Sequence, residues 1–280
     1  ALVTNVRPVH LEFFASLDDV AAAKGELYAT LRPDAVAVVN LDDEACRIQA
    51  ARHPGPRVAF GRDPSSDVVL EAISDRFVPG AELTFRHAGR TRTLPLRIGG
   101  AHAALDALAA LAAVAAAGED VEAAAEAMAA VEPPPGRGRV HRLAGDAVLV
   151  DDSYNSNPAA LASVLETVRA SQPRGRKVAV LGDMLELGRE ERAFHREAGE
   201  RASAAGVQLL VGVGPRAKAT VDAARRAKVA EAWHEPDAAA AARSVPPRIG
   251  PGDLVVVKGS RGMHLEQVVE ALLRARGEAA

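Results

Sequence analysis

The chain has 280 residues, 48% hydrophobic and 25% charged, and its formal net charge of -3 gives no footing for a nucleic-acid or membrane-surface partner. Its longest uncharged apolar run, Ala107–Ala117, is about half a bilayer span, and the residues after Ala1 lead us to expect no signal peptide. Cys46 is the sole cysteine, which excludes an internal disulfide, fits a reducing compartment and leads us to expect a cytoplasmic protein of about two domains.

In chain order, Leu2–Val6 reads as a short buried strand, and Ser16 opens a helix that runs to about Leu31 and stops before Pro33. Ala35–Asn40 is a second strand and Asp43–Arg52 a helix. From Val58 to Ile98 the pattern becomes short alternating segments, with a hairpin turn at Ala88-Gly89-Arg90. Two Ala-rich helices follow, over Ala101–Ala117 and Val121–Val131. Pro133, Pro134 and Pro135 cannot continue a helix, so a domain boundary falls there, dividing 1–132 from 133–280. Beyond it, strands at Ala147–Asp151, Lys177–Leu181, Val207–Val211, Val229–Trp233 and Leu254–Val257 alternate with helices at Ala159–Ser171, Glu190–Ala205, Arg216–Arg226, Asp237–Arg243 and His264–Arg276. That alternation predicts an α/β fold with a parallel sheet covered by helices on both faces.

Four local patterns carry possible chemistry. Gly212-Val213-Gly214-Pro215-Arg216-Ala217 has the spacing of a dinucleotide-binding turn, but it follows the third strand of its sheet and contains a proline, so a tight strand-to-helix turn is the default. The five lysines are Lys24, Lys177, Lys218, Lys228 and Lys258; none lies between Gly and Ser or Thr, so the chain contains no Gly-x-x-x-x-Gly-Lys-[Ser/Thr] phosphate loop. Asp151-Asp152-Ser153-Tyr154-Asn155-Ser156-Asn157-Pro158 lies where a strand ends and a helix begins, the edge at which parallel sheets place ligands; it reads equally as a polar turn with an Asn N-cap. Gly136-Arg137-Gly138-Arg139 is a basic loop that suits a phosphate or is a solvated linker. His10 and Lys24, taken singly, read as a solvated imidazole and a snorkelling side chain.

Taken together, these segments resemble the Mur ligase family, which joins amino acids or peptides to the UDP-sugar precursor of peptidoglycan. The resemblance is carried by Thr4–Glu12, Ala23–Glu26, Gly136-Arg137, Asp151–Pro158, Gly182–Gly188 and Lys258–Met263, in family order. The Asp-Asp-Ser-Tyr-Asn and Gly-Asp-Met segments resemble the branch that adds D-alanyl-D-alanine to UDP-N-acetylmuramoyl-tripeptide.

The resemblance implies a truncated central, ATP-binding domain over 1–132, followed by a Rossmann-like parallel-sheet C-terminal domain over 133–280. It implies ATP and two Mg²⁺ ions, with Lys24 carbamylated and His10 a metal ligand; a carbamate turns the cation into an oxygen donor suited to a hard ion. Asn5, His102, Asp106, Arg137, Asp152, Asn155 and Asn157 fall on nucleotide-binding positions, with ATP lying between the two domains. Asp183, Glu186 and Ser260 fall on the substrate side, and Lys258 and Arg261 are expected to be cations facing developing negative charge. Two departures stand out. The family's His-Asn-x-x-Asn reads His102-Ala103-Ala104-Leu105-Asp106 here, and the phosphate loop, the UDP-binding domain and an acid metal ligand are expected upstream of Ala1. The chain alone is therefore expected to be inactive and monomeric. The alternatives are another ligase of the family or a polyglutamate-type synthetase, a non-catalytic Rossmann-like nucleotide-binding module, and a structural protein that has kept the ligase fold without its catalysis.

Overall fold

The computed structural model describes residues 1–7 and 12–277. They group into two units, Ala1–Asp75 with Pro79–Val131, and Glu132–Ala280 with Arg76–Val78, whose Phe77 is buried in the second unit's core.

In the first unit, β1 (Leu2–Val3), β2 (Ala37–Asn40), β3 (Arg57–Gly61) and β4 (Val68–Ser74) pair in parallel, and β5 (Glu82–His87) and β6 (Arg90–Pro95) extend the sheet as an antiparallel meander. The expected hairpin turn closes β5 onto β6 through Ala88 and Gly89, both at positive φ (+46° and +77°), as a two-residue turn between right-twisted strands requires. Alternate residues of β2 feed opposite cores. Val38 joins the cluster under α3 (Ala101–Ala116) and α4 (Val121–Met128), while Ala37 and Val39 join that under α1 (Leu17–Ala29) and α2 (Glu44–Ala50). Ser16 caps α1 by accepting the Asp19 N–H.

The second unit holds β7 (Arg139–Leu143), β8 (Ala147–Asp152), β9 (Lys177–Gly182), β10 (Leu209–Val213), β11 (Glu231–Glu235) and β12 (Leu254–Lys258), in spatial order β11-β10-β9-β12-β8-β7. Five strands are parallel; β7, absent from the sequence-based expectation, pairs antiparallel with β8 and makes the sheet mixed. Its short run Arg-Val-His-Arg-Leu places His141 and Arg142 side by side and so breaks strict alternation, and the Gly-Arg-Gly-Arg pattern that runs into it disguised it as loop. Helices α5 (Pro158–Ala170), α6 (Glu191–Ala204) and α7 (Ala217–Arg226) share one core with Val150, Ala179, Leu210 and Val256. The core on the opposite face joins α8 (Ala238–Ser244) and α9 (Glu266–Arg276) to Leu149, Val178, Leu209 and Val255.

β10 and β11 each begin two residues later than expected, because Val207 and Val229 belong to helix stops. Gly206 (φ +78°) and Lys228 (φ +66°) adopt the left-handed conformation. The Val207 N–H then donates to Ala202 O at 3.1 Å and that of Val229 to Ala224 O at 3.0 Å, each a Schellman closure with its apolar residue folded back on the helix.

The connections place the crevice. The chain leaves β8 and β9 toward helices on one face, whereas it leaves β12, which lies between them, toward α9 on the other. The carboxyl ends of these three strands therefore form a topological switch point, the usual ligand position in such sheets.

Candidate functional site

Three loops meet at this switch point, after β8, β9 and β12. In the sheet register Lys258 lies beside Asp152 on one side and Leu181 on the other. Its ammonium is buried, donating to Asp152 Oδ2 at 2.6 Å and to the Asn155 carbonyl at 2.9 Å. An unpaired buried cation would be costly, so Lys258 and Asp152 hold each other, and Lys258 fixes the acid in place from beneath. Ser260, also buried, ties all three loops. Its N–H donates to Asp183 O at 3.0 Å, its hydroxyl accepts the Leu185 N–H at 2.9 Å, and it donates to Ser156 O at 3.4 Å.

The basic loop before β7 is pinned to the same edge. Asp151 accepts the Gly136 N–H at 2.9 Å and the Ser153 hydroxyl at 2.6 Å; its carbonyl takes the Gly138 N–H at 2.8 Å. Tyr154 N–H donates to Gly136 O at 2.9 Å. Gly136 is required here, since it sits at φ +76° and a Cβ would stand 3.1 Å from the Tyr154 Cβ and N. Arg137 and Arg261 are exposed, with their guanidinium carbons 4.0 and 5.4 Å from the Tyr154 ring centroid. Asn155 is exposed and accepts the Ser156 N–H at 2.8 Å, while Asn157 caps α5 by accepting the Ala160 N–H at 2.8 Å. The N-cap reading of this stretch thus falls on Asn157.

Asp183 is spent on the fold. Fully buried, its carboxylate accepts the Ala217 N–H at 2.7 Å and the Arg216 N–H at 3.3 Å, so it fills the N-terminus of α7. Gly214 exists for this approach: a Cβ there would lie 2.7 Å from the Asp183 carboxylate and 2.5 Å from Met263. A dinucleotide pyrophosphate needs the very amides that Asp183 occupies, so the Gly212–Ala217 pattern is a packing turn. Glu186 is exposed at φ +62°, a conformation sparsely adopted by non-glycine residues. A residue not anticipated, His195, is buried behind this loop. Its Nε2 accepts the Met184 N–H at 3.0 Å, which leaves Nδ1–H to donate to Glu191 O at 2.8 Å.

In the first unit, Lys24 is exposed on α1, next to Gly25, where any side chain would collide with Gln49 of α2. Asn5 is exposed between anchored neighbours: Asn40 donates to Thr4 O at 2.8 Å, and Asp43 accepts the Val6 N–H at 3.0 Å and Arg7 at 2.7 Å. Burial would raise the Asp43 carboxyl, but the Val6 and Cys46 N–H groups, the Cys46 thiol and Arg7 hold it below its ordinary value. Beneath it, burial and the Asp43 charge push the Cys46 thiol up to about 12, so this cysteine is inert. His102 and Asp106 lie one turn apart on α3, with His102 Nδ1 buried and unpartnered. Packed surroundings raise the Asp106 carboxyl above its ordinary value, and the His102 charge opposes the rise.

His10 lies outside the described residues. Among the described residues, no group of three or more His, Cys, Asp or Glu side chains is arranged to hold a metal ion, and Lys24 as a free amine is a cation, so these side chains do not by themselves fit a magnesium site. No helix among the described residues is long and apolar enough to cross a membrane.

The chain is 33% identical over 276 residues to the UDP-N-acetylmuramoyl-tripeptide–D-alanyl-D-alanine ligase of Escherichia coli (strain K12), covering 97% of this chain and 59% of that protein. The enzyme of the same name from Bacillus subtilis (strain 168) is 26% identical, with 98% and 59% covered. The chain thus spans about three-fifths of the length of the curated relatives it matches. Among solved structures, a MurF ligase from Thermotoga maritima in complex with ADP superimposes with a TM-score of 0.82 at 27% identity, covering 97% of this chain and 60% of that one. Residues 1–114 match the Mur ligase middle domain and residues 136–261 the Mur ligase glutamate ligase domain. With both family models matched in order and both units folded accordingly, the chain belongs to the Mur ligase family.

Proposed function

We propose that this chain is the central and C-terminal part of an ATP-dependent ligase, divided at 132/133, that adds D-alanyl-D-alanine to UDP-N-acetylmuramoyl-tripeptide in the cytoplasm. The observation that carries the reading is the end-to-end likeness to the Escherichia coli enzyme of that name. The crevice supports it, gathering an acid, two exposed arginines and two substrate-side loops at one sheet edge.

In this reading the tripeptide carboxylate attacks the γ-phosphorus of ATP, its O–P bond forming as the bond to ADP breaks. The D-alanyl-D-alanine amine then attacks the acyl phosphate carbonyl, and the tetrahedral intermediate expels phosphate. There is little covalent work for the protein in the first step; positioning and charge neutralisation dominate. Asp152, held by Lys258, faces the nucleotide ribose, with Asn155 beside it, and Arg137 and Arg261 face phosphoryl oxygens. Asn157 supports the edge as a helix cap, while Asp183 and Ser260 act on the acceptor side by fixing the loop that carries Glu186. Asn5, His102 and Asp106 belong to the nucleotide side of the first unit.

Magnesium, when bound, would neutralise the phosphates; Lys24 would join His10 in holding it only after conversion to a carbamate. The test uses this chain joined to the remainder that its relatives carry. ATP-dependent phosphate release is expected only with both the tripeptide precursor and D-alanyl-D-alanine present. Lys24→Ala should lower turnover by roughly 10³-fold or more, with partial rescue by short carboxylates. Unchanged turnover in that variant would sink the carbamate role, and release without either co-substrate would sink the ligase reading.

A further inference from the structure

Tyr154 is one of only two tyrosines in the chain, and at 39% relative exposure it is the largest aromatic side chain open to solvent at the crevice. Two arginines reach its ring from separate loops, Arg137 from the turn before β7 at 4.0 Å and Arg261 from the 3₁₀ turn after β12 at 5.4 Å. Arg176 and Arg216 in the same unit are instead turned to the acids Asp253 and Glu191. Both loops are held rigidly. The Gly136–Gly138 turn is tied to Asp151 and to the Tyr154 backbone, and the Ser260 loop is tied to Asp183, Leu185 and Ser156. These backbone and side-chain hydrogen bonds hold two cations against one aromatic ring.

We propose that Tyr154 is a positioning residue whose ring holds Arg137 and Arg261 as one paired cation, poised for an anion with several phosphoryl oxygens. The ring's negative face attracts each guanidinium and offsets part of their mutual repulsion. It also removes rotamer freedom that each long side chain would otherwise lose on binding. The two arginines therefore act together, and the ring rather than the phenol hydroxyl does the holding. That the physiological anion is a nucleotide or acyl phosphate rests on the ligase reading; the coupling of the arginines does not.

The test is titration calorimetry of the 280-residue chain with inorganic tripolyphosphate at low ionic strength. Tyr154→Phe should bind within about twofold of the wild type and Tyr154→Leu about tenfold more weakly, with unchanged melting temperature. Arg137→Gln and Arg261→Gln should each weaken binding, and the double variant should lose less than the product of the two single losses. In the Tyr154→Leu background the single losses should simply multiply. Wild-type affinity in Tyr154→Leu, independent arginine effects in the wild-type background, or no tripolyphosphate binding by the wild-type chain would each overturn the proposal. Should Tyr154→Leu melt early, the arginine cycle with Tyr154 intact decides alone. A chain that passes this cycle but whose completed form releases no phosphate from ATP would refute the ligase reading and leave the role of Tyr154 standing.

Discussion

Asp151, Asp152, Asp183 and Asp253 are all buried acids of the second unit, and each is stabilised differently. Asp151 holds a loop, Asp152 pairs with Lys258, Asp183 caps a helix, and Asp253 staples the starts of β9 and β12. Asp253 accepts the Arg176 N–H at 2.7 Å, the Gly250 N–H at 2.8 Å and the Arg176 guanidinium at 2.9 Å. Burial would raise its carboxyl, but these donors outweigh it and hold the carboxyl below its ordinary value. A depressed folded-state pKa means that the stabilisation is present above the unfolded value of about 4 and is lost as pH falls through the lower folded value. Asp253→Asn should therefore cost about 2 kcal/mol at neutral pH, allowing for the partly exposed Arg176. The difference from wild type should shrink below pH 4 in urea melts; a pH-independent difference would refute the charge argument.

At the scale of elements, strand and helix periodicity was readable wherever a segment's own residues decide its fate. The hairpin at Ala88-Gly89 and the cap at Ser16 fell where turn and capping chemistry put them. β7 and the starts of β10 and β11 were not readable in the same way. A short basic strand is recognised only once β8 is there to pair with it, and Val207 and Val229 look like strand residues until the helix stop claims them. Lys228 stands in the left-handed conformation where Gly206 and Gly118 serve the equivalent stops. Lys228→Gly should accordingly stabilise the protein by about 1 kcal/mol, the usual penalty of a Cβ in that region. Thermal melts check this, and an unchanged or lowered melting temperature would mean that the stop is held by the Val229 contact instead.

Across the whole molecule, two α/β units of different strand order are joined in one chain, each with helices packed on both faces of its sheet. Neither carries a glycine-rich loop ending in Lys and Ser or Thr, the loop whose backbone amides at a helix N-terminus cradle the β- and γ-phosphates of ATP. The 280-residue chain by itself should release no phosphate from ATP in the presence of both peptide substrates. Measurable release would mean that Arg137, Arg261 and the rest of this chain position the nucleotide phosphates for reaction without such a loop.

Local order in the residues was enough for the family, the alternation of strands and helices, and the loops that carry polar chemistry, because periodicity, caps and motif spacing are properties of neighbours. Which partner each polar side chain finds was decided only by the tertiary structure. Lys258 reads as a cation facing developing negative charge until the sheet sets it beside Asp152, and the tight turn read at Gly212–Ala217 acquires its reason only when Asp183 is brought onto α7. The same folding sets Arg137 and Arg261, far apart in the chain, on one tyrosine ring. A buried charge must find its partner wherever the fold provides one, and that partner is rarely a neighbour in sequence.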